Sequence, residues 1–316
     1  MPIDLRLLAD GVENPGNRER IAEAAALLGG QLSDSVHGHL IAVENTPTAD
    51  SVYGRRPARA TTTLAVGNER RGISRRLLAA AAETVVIPTL SRTVSTLNVA
   101  AAAAVAGWYV SRGSGGQAQR PHPERRRPMI LISGADHVEV GSSLRSAAAF
   151  GYREVFLEDR GAGWFEGGHH RRREARAAAR RHKNPLRVRR APTGLVTRFH
   201  DVLFLTASGP GVPINRARLT RGRSQLIVVG APPDTAESLA ASGAGRITLG
   251  FQQQTATEPA LRLVASIALA EIARQVGMPA QRRAAVPPRG PRYERELALA
   301  ADGELLHIEQ DELLAF

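Results

Sequence analysis

Residues 64–112 read LAVGNERRGISRRLLAAAAETVVIPTLSRTVSTLNVAAAAAVAGWYVSR, and the fold is decided there. Leu64–Val66 is a short apolar strand that stops at Gly67. Gly67-Asn68-Glu69 and Gly72 form a tight loop with its own polar side chains. Arg75–Glu83 is a helix-forming run, and Val85-Val86-Ile87 is a β-branched strand stopped by Pro88. Ser91–Asn98 is a polar loop. Val99–Tyr109 is an alanine-rich helix whose run Ala100–Ala104 permits close approach to other backbone. Two polar loops, each following a buried strand, are the layout of a ligand site at the carboxyl ends of strands in an open α/β sheet. Ordinary βα units with Gly- and Asn-rich surface loops would share that composition.

Working outward, 316 residues suffice for two domains of ordinary size. Aromatic residues make up 4%, so the cores must rest on Ala, Val, Leu and Ile. The chain has no Cys, which excludes disulfides, thiolate metal sites and cysteine nucleophiles. No apolar run is long enough to span a membrane, and MPIDLRLLADG does not read as a signal peptide. A cytoplasmic protein is expected. Net charge is +12, carried almost wholly by Arg, with Lys183 the single lysine. Such an excess suits a polyanion such as RNA, although a genome rich in arginine codons would produce it too.

Before the opening stretch, Ile3–Ala9 reads as a strand, Asp10–Asn17 as a turn-rich loop, Arg18–Leu28 as a helix ended by Gly29-Gly30, and His39–Val43 as a strand. Glu44–Thr61 is loop-like. After it, 113–127 is a linker of Gly, Ser, Gln, Pro and Arg that cannot bury enough apolar surface to fold alone. Then the pattern restarts: strand Met129–Ser133, loop Asp136–Gly141, helix Ser142–Phe150, strand Glu154–Leu157. Residues 169–190 are an Arg-rich run, read as a helix through Arg181 with no apolar face, either solvated or in contact with phosphate. Strands at Val202–Leu205, Leu226–Val229 and Arg246–Leu249, a polar loop Gly250–Glu258 and a helix Pro259–Val276 complete the second copy. The same unit thus occurs twice, at 1–112 and 128–277, followed by a C-terminal extension, 278–316. His37, His39, His169 and His170 lack acidic or Cys partners at ligand spacing and are read as loop residues.

Three elements carry a family likeness: GNExxG at 67–72, Ile87-Pro88, and Thr96-Leu97-Asn98-Val99. They resemble the second and third motifs of the SPOUT methyltransferases, SpoU (TrmH-like) branch, in order, spacing and flanking helices. The resemblance implies an α/β fold of two tandem SPOUT-type domains, trefoil-knotted on mostly parallel sheets. It implies S-adenosyl-L-methionine as cofactor, held by Leu64, Gly67, Asn68, Glu69, Gly72, Ile87, Pro88, Thr96, Leu97 and Asn98, with Thr96 replacing the usual Ser. SpoU enzymes are homodimers with sites at the subunit interface, so this chain reads as that dimer fused into one polypeptide, an intramolecular pseudo-dimer.

The copies have lost different parts. Asn14-Pro15-Gly16-Asn17 resembles the first SpoU motif, but its Arg position is Glu23. The second copy keeps that Arg as Arg145, has Glu139 where the motif has Asn, reads Gly230-Ala231-Pro232-Pro233 in place of GNExxG, and Thr257-Glu258-Pro259 in place of the third motif. One composite site explains both losses: cofactor loops from the first copy, Arg145 from the second. The expected catalytic residues are Arg145, which the family places near the acceptor, Glu69, which shapes the acceptor side, and Glu139, either a base or the mark of a changed substrate. The expected activity is methylation of ribosomal or transfer RNA at a ribose 2′-hydroxyl, with residues 169–190 on the RNA. A small-molecule methyltransferase and a non-catalytic RNA-binding pseudoenzyme are the alternatives.

Overall fold

The computed structural model describes residues 4–58, 60–91, 93–113, 116–179, 185–251 and 258–278. Its first sheet contains β1 (Leu5–Ala9), β2 (Gln31–Ser33), β3 (His39–Val43), β4 (Asp50–Ser51), β5 (Thr62–Val66) and β6 (Glu83–Val86), ordered β2-β1-β5-β3-β6-β4. The second contains β7 (Met129–Gly134), β8 (Glu154–Asp159), β9 (Arg187–Arg190), β10 (Asp201–Thr206), β11 (Val212–Pro213), β12 (Gln225–Val229) and β13 (Gly245–Thr248), ordered β9-β8-β7-β12-β10-β13-β11. Strand pairs within both sheets are parallel. Central strands such as β5 and β12 are buried along their whole length, as parallel strands covered on both faces are.

Apart from β9, the second sheet repeats the first strand for strand. The registers repeat as well. Leu8 faces Ser33 as Leu131 faces Phe156, Arg6 faces Thr63 as Met129 faces Leu226, and Leu40 faces Thr63 as Val202 faces Leu226. At the far edge, Ile41 faces Glu83 as Leu203 faces Gly245, and Asp50 faces Val85 as Val212 faces Ile247. A slip of one residue would turn a strand's side chains to the other face, so shared register is a sharper sign of an internal repeat than shared order.

The helices are α1 (Pro15–Leu27), α2 (Arg75–Ala80), α3 (Val99–Arg112), α4 (His137–Ala149), α5 (His169–Ala178), α6 (Pro233–Ala241) and α7 (Leu261–Val276). Asn14 caps α1 with Pro15 in the first turn. Asp136 caps α4, accepting from the N–H groups of Val138 and Glu139. That cap starts α4 five residues before the expected Ser142, so Glu139 sits in the first turn of a helix rather than in a loop. The Arg-rich run also differs from expectation. Part of it is α5, which buries Ala175 against α4, and part is the edge strand β9, which pairs with β8; residues 180–184 lie outside the described set. β2, β4, β11 and α6 are elements that the sequence patterns do not announce. The C-terminal extension from 279 also lies outside the described residues.

One continuous core joins both sheets. Helix α3 packs on α1, α4 on α7, and α3 on α7. Almost all of α7 is buried, and so is most of α3, whose sequence is apolar on nearly every side. The α3–α7 contact also encloses polar groups. Glu271 is fully buried and accepts from the Tyr109 hydroxyl at 2.8 Å, from Arg274 Nε and Nη2 at 2.8 and 2.6 Å, and from Gln275 at 2.9 Å. Burial first, and the Glu271 charge second, push the Tyr109 and Tyr53 hydroxyls far above the usual tyrosine range. Trp108 donates to the Leu249 carbonyl at 3.3 Å. The linker runs along α7, with Gln119 N–H donating to the Arg274 carbonyl and Met278 N–H to the Gln119 carbonyl, both at 3.0 Å. No helix among the described residues is long and apolar enough to cross a membrane.

Candidate functional site

The loop after β5 is knitted by its own asparagine. Asn68 exchanges two backbone hydrogen bonds with Gly72, each 2.9 Å. Its side-chain oxygen accepts from the N–H groups of Arg70 (2.9 Å) and Arg71 (3.1 Å), and its amide donates to the Gly11 carbonyl at 2.8 Å. Glu44 accepts from Ile73 N–H at 2.9 Å and Asp10 from Ser74 N–H at 2.6 Å. The loop closes so tightly that a Cβ on Gly67 would lie 2.1 Å from the Gly72 carbonyl carbon and 2.2 Å from Ile73 N. Gly67→Ala is therefore expected to open the loop at a cost of about 1–3 kcal/mol while the sheets persist. A lower denaturant midpoint with unchanged circular dichroism checks it.

The second loop ends at Asn98, the N-cap of α3, which accepts from Ala100 N–H (3.0 Å) and Ala101 N–H (3.4 Å). The Asn98 amide donates to Asn17 Oδ1 at 3.0 Å, and the Asn17 amide donates to Glu69 Oε1 at 2.5 Å. All three polar motifs of the first copy thus meet through Asn17. Arg145 arrives from α4: its Nε donates to the Thr96 carbonyl at 2.9 Å and its Nη2 to Thr96 Oγ1 at 2.6 Å.

The equivalent place in the second copy is filled. Counting from the caps Asn14 and Asp136, Glu139 stands where Asn17 does and Arg145 where Glu23 does; counting from Asn98 and Ala260, Arg262 stands where Ala100 does. Helix α7 has no capping side chain of its own. Glu23 accepts from Ala260 N–H at 2.7 Å, and Glu139 Oε2 from Arg262 N–H at 3.0 Å. Two carboxylates therefore serve the N-terminus of α7, where the helix dipole favours negative charge. Arg262, only 5% exposed, neutralises Glu139 through Nε at 2.9 Å and Nη2 at 2.8 Å, and its Nη1 reaches Asn17 Oδ1 at 3.3 Å. Arg20 bridges Glu139 (3.0 Å) and Glu23 (2.9 Å). Burial opposes its charge, but the hydrogen bond and charge of Glu139, with Glu23 and Glu19, more than offset this and raise its pKa.

Residues 31–108 match the model of the SpoU rRNA Methylase family. That segment resembles a SpoU-type methylase. Solved structures with similarity to the chain include a probable methylase family protein from Haemophilus influenzae Rd KW20 (14% identity, 35% of this chain and 66% of that one, TM-score 0.29). They also include a putative RNA methyltransferase of the TrmH family from Porphyromonas gingivalis (17%, 63% and 79%, TM-score 0.35). A third is the SpoU methyltransferase AviRb from Streptomyces viridochromogenes in complex with the cofactor AdoMet (12%, 83% and 94%, TM-score 0.38). The chain thus spans about two thirds of the first of these. A comparison with curated proteins found no match.

The two copies differ at the helix that follows the second loop. At the N-terminus of α3 the side chains are Val99 and Ala100; at the same positions of α7 they are Leu261 and Arg262, with the Arg262 guanidinium lying between Glu139 and Asn17. Leu261 also lies within 2.6–2.7 Å of where Cβ atoms on Gly230 and Gly134 would stand. Of the expected cofactor residues, Gly67–Gly72 form the closed loop after β5, Asn98 caps α3, Leu64 is buried within β5, and Pro88 is buried. Asn68 closes its loop through both of its side-chain groups. Glu69 is tied to Asn17, and Glu139 lies in the arginine network rather than beside Thr96. Asn17, Arg20, Arg262 and Thr96 as the Arg145 acceptor are contacts that no local pattern reveals. His39 opens β3 and His169 and His170 open α5, so none of these is a loop residue. Among the described residues no group of three or more His, Asp or Glu could hold a metal ion.

Asn98 has two separable hydrogen-bonding jobs. Asn98→Asp keeps the cap but cannot donate to Asn17, whereas Asn98→Ala also costs about 1 kcal/mol of capping. Both are expected to weaken cofactor binding in a calorimetric titration, and only Asn98→Ala to lower thermal stability.

Proposed function

We propose that the chain is an S-adenosylmethionine-dependent methyltransferase that methylates ribosomal or transfer RNA at a ribose 2′-hydroxyl, with one composite site per chain. The observation that supports this most directly is the reach of Arg145 on α4 to Thr96 in the first copy's loop. The repeated register supports reading the chain as two fused subunits. The same reading has the trefoil knot of SPOUT chains tied around residues 64–98, and the chain acting as a monomer in the cytoplasm.

The bound cofactor supplies an electrophilic methyl group on sulfur. In-line displacement forms the oxygen–carbon bond as the carbon–sulfur bond breaks, so holding the acceptor in line carries much of the rate. Asn98, Asn17 and Glu69 fix the mutual position of the two cofactor loops. Arg145 orients the acceptor and stabilises charge developing on its oxygen. Glu139 is a positioning residue in this reading, since its carboxylate already accepts from Arg262 and Arg20; it no longer argues for a small substrate. Glu23 and Glu139 belong to the plug that closes the second copy.

Calorimetric titration with S-adenosylmethionine tests the reading. One equivalent per chain is expected. Two would overturn the single composite site, and none would favour the RNA-binding pseudoenzyme. Methylation of transfer RNA or ribosomal fragments, with products digested to 2′-O-methylnucleosides, tests the acceptor.

A further inference from the structure

The protein has a cavity of about 1220 Å³. It exceeds the roughly 300–1,000 Å³ of small-ligand pockets and has the size of a groove. The amino ends of the second sheet converge on it. Arg127 precedes β7, Arg153 precedes β8, Arg187 opens β9 and Arg223 precedes β12. Arg153, Arg187 and Arg223 are exposed, and none of the four makes an ion pair with a described residue. The one acidic lining residue, Glu154, is paired with Arg189 at 2.9 Å.

Two further features point to a ligand. Arg127 Nε and the Tyr152 hydroxyl are buried without a hydrogen-bond partner among the described residues. Such groups are rare in folded proteins because each lost partner costs about 1–3 kcal/mol. Burial lowers the Arg127 pKa, with Tyr152 partly opposing this. Phe156 and Phe199, both half-buried, add ring surface to the same wall. Leu90, Ser91 and Thr93 also line the cavity, and the Leu90 and Ser91 N–H groups both donate to the Ala149 carbonyl (2.8 and 3.1 Å). That segment belongs to the loop that carries Thr96 and Asn98.

We propose that this groove binds single-stranded RNA, its arginines taking backbone phosphates and its aromatic side chains a base. The inference rests on the RNA reading of the composite site and names where the RNA lies. Guanidinium groups without carboxylate partners, set among rings in a concave wall, are the elements that hold single strands without reading sequence. The shared loop would set the bound strand beside the cofactor site.

The test uses the full chain and a fluorescein-labelled oligouridylate of about ten nucleotides, read by anisotropy across a salt series. Arg187→Glu/Arg223→Glu alters only exposed side chains. It is expected to weaken binding at least tenfold and to flatten the salt dependence by about 1.4 in log–log slope, at roughly 0.7 per lost phosphate contact. Affinity for S-adenosylmethionine should stay unchanged. Binding equal to the parent chain's would overturn the groove while leaving the RNA reading in place. A parent chain that binds no RNA would overturn both. Poly-glutamate bound as tightly as the oligonucleotide would overturn the nucleic-acid assignment of the groove in favour of acidic protein.

Discussion

Arg145→Ala is expected to lower methyl transfer by about 10²–10⁴-fold, the range for removing one group that orients or stabilises the reacting oxygen. Affinity for S-adenosylmethionine should stay within about twofold, because Arg145 approaches Thr96 from another part of the chain and is no part of the loop's own hydrogen bonding. The comparison of kcat with cofactor affinity decides between two roles. If both fall together, Arg145 clamps the Thr96 loop and the acceptor-side role is wrong. If kcat falls alone, the second copy contributes chemistry to the first. Arg145→Lys keeps the charge without the two-pronged grip on Thr96 and should recover only part of the rate.

Glu271→Leu is expected to cost about 3–5 kcal/mol, against a whole-domain stability of roughly 5–15 kcal/mol. Glu271 is fully buried, and Arg274, 6% exposed, would be left without its carboxylate while the Tyr109 hydroxyl lost its acceptor. The double variant Glu271→Leu/Arg274→Leu should recover much of the loss, since a buried ion pair replaced whole by apolar groups is often neutral. Urea unfolding of both variants checks this. A single variant within about 1 kcal/mol of the parent would mean that water reaches the α3–α7 contact. These helices come from different copies, so the result also measures how firmly the copies are joined.

Much of the fold was legible in the sequence. The strands at His39–Val43 and Glu154 onward and the helix starting at Val99 announce themselves, because buried parallel strands are β-branched runs and Asn98 is a strong cap. Edge strands β2, β4, β9 and β11 are short or charged, so no apolar pattern marks them. The start of α4 was misplaced because Val138, Val140 and Gly141 are weak helix formers, and a cap with acidic support outweighed them. At the site, the loops were readable and the partnerships were not. Glu139 reads in sequence as a base or as the mark of a changed substrate, yet its carboxylate is held by Arg262, which lies 123 residues away in sequence.

If the chain is two fused subunits, as proposed, the matched registers of the two sheets carry a genetic consequence. In a homodimer encoded by one gene every substitution appears twice, so an arginine lost from one site is lost from both. A chain that holds both copies escapes that constraint. Glu23 and Arg145 occupy the same structural address with opposite charge, one closing a helix end and the other reaching for the opposite loop. Duplication within a single reading frame lets one inherited position answer to two selections at once.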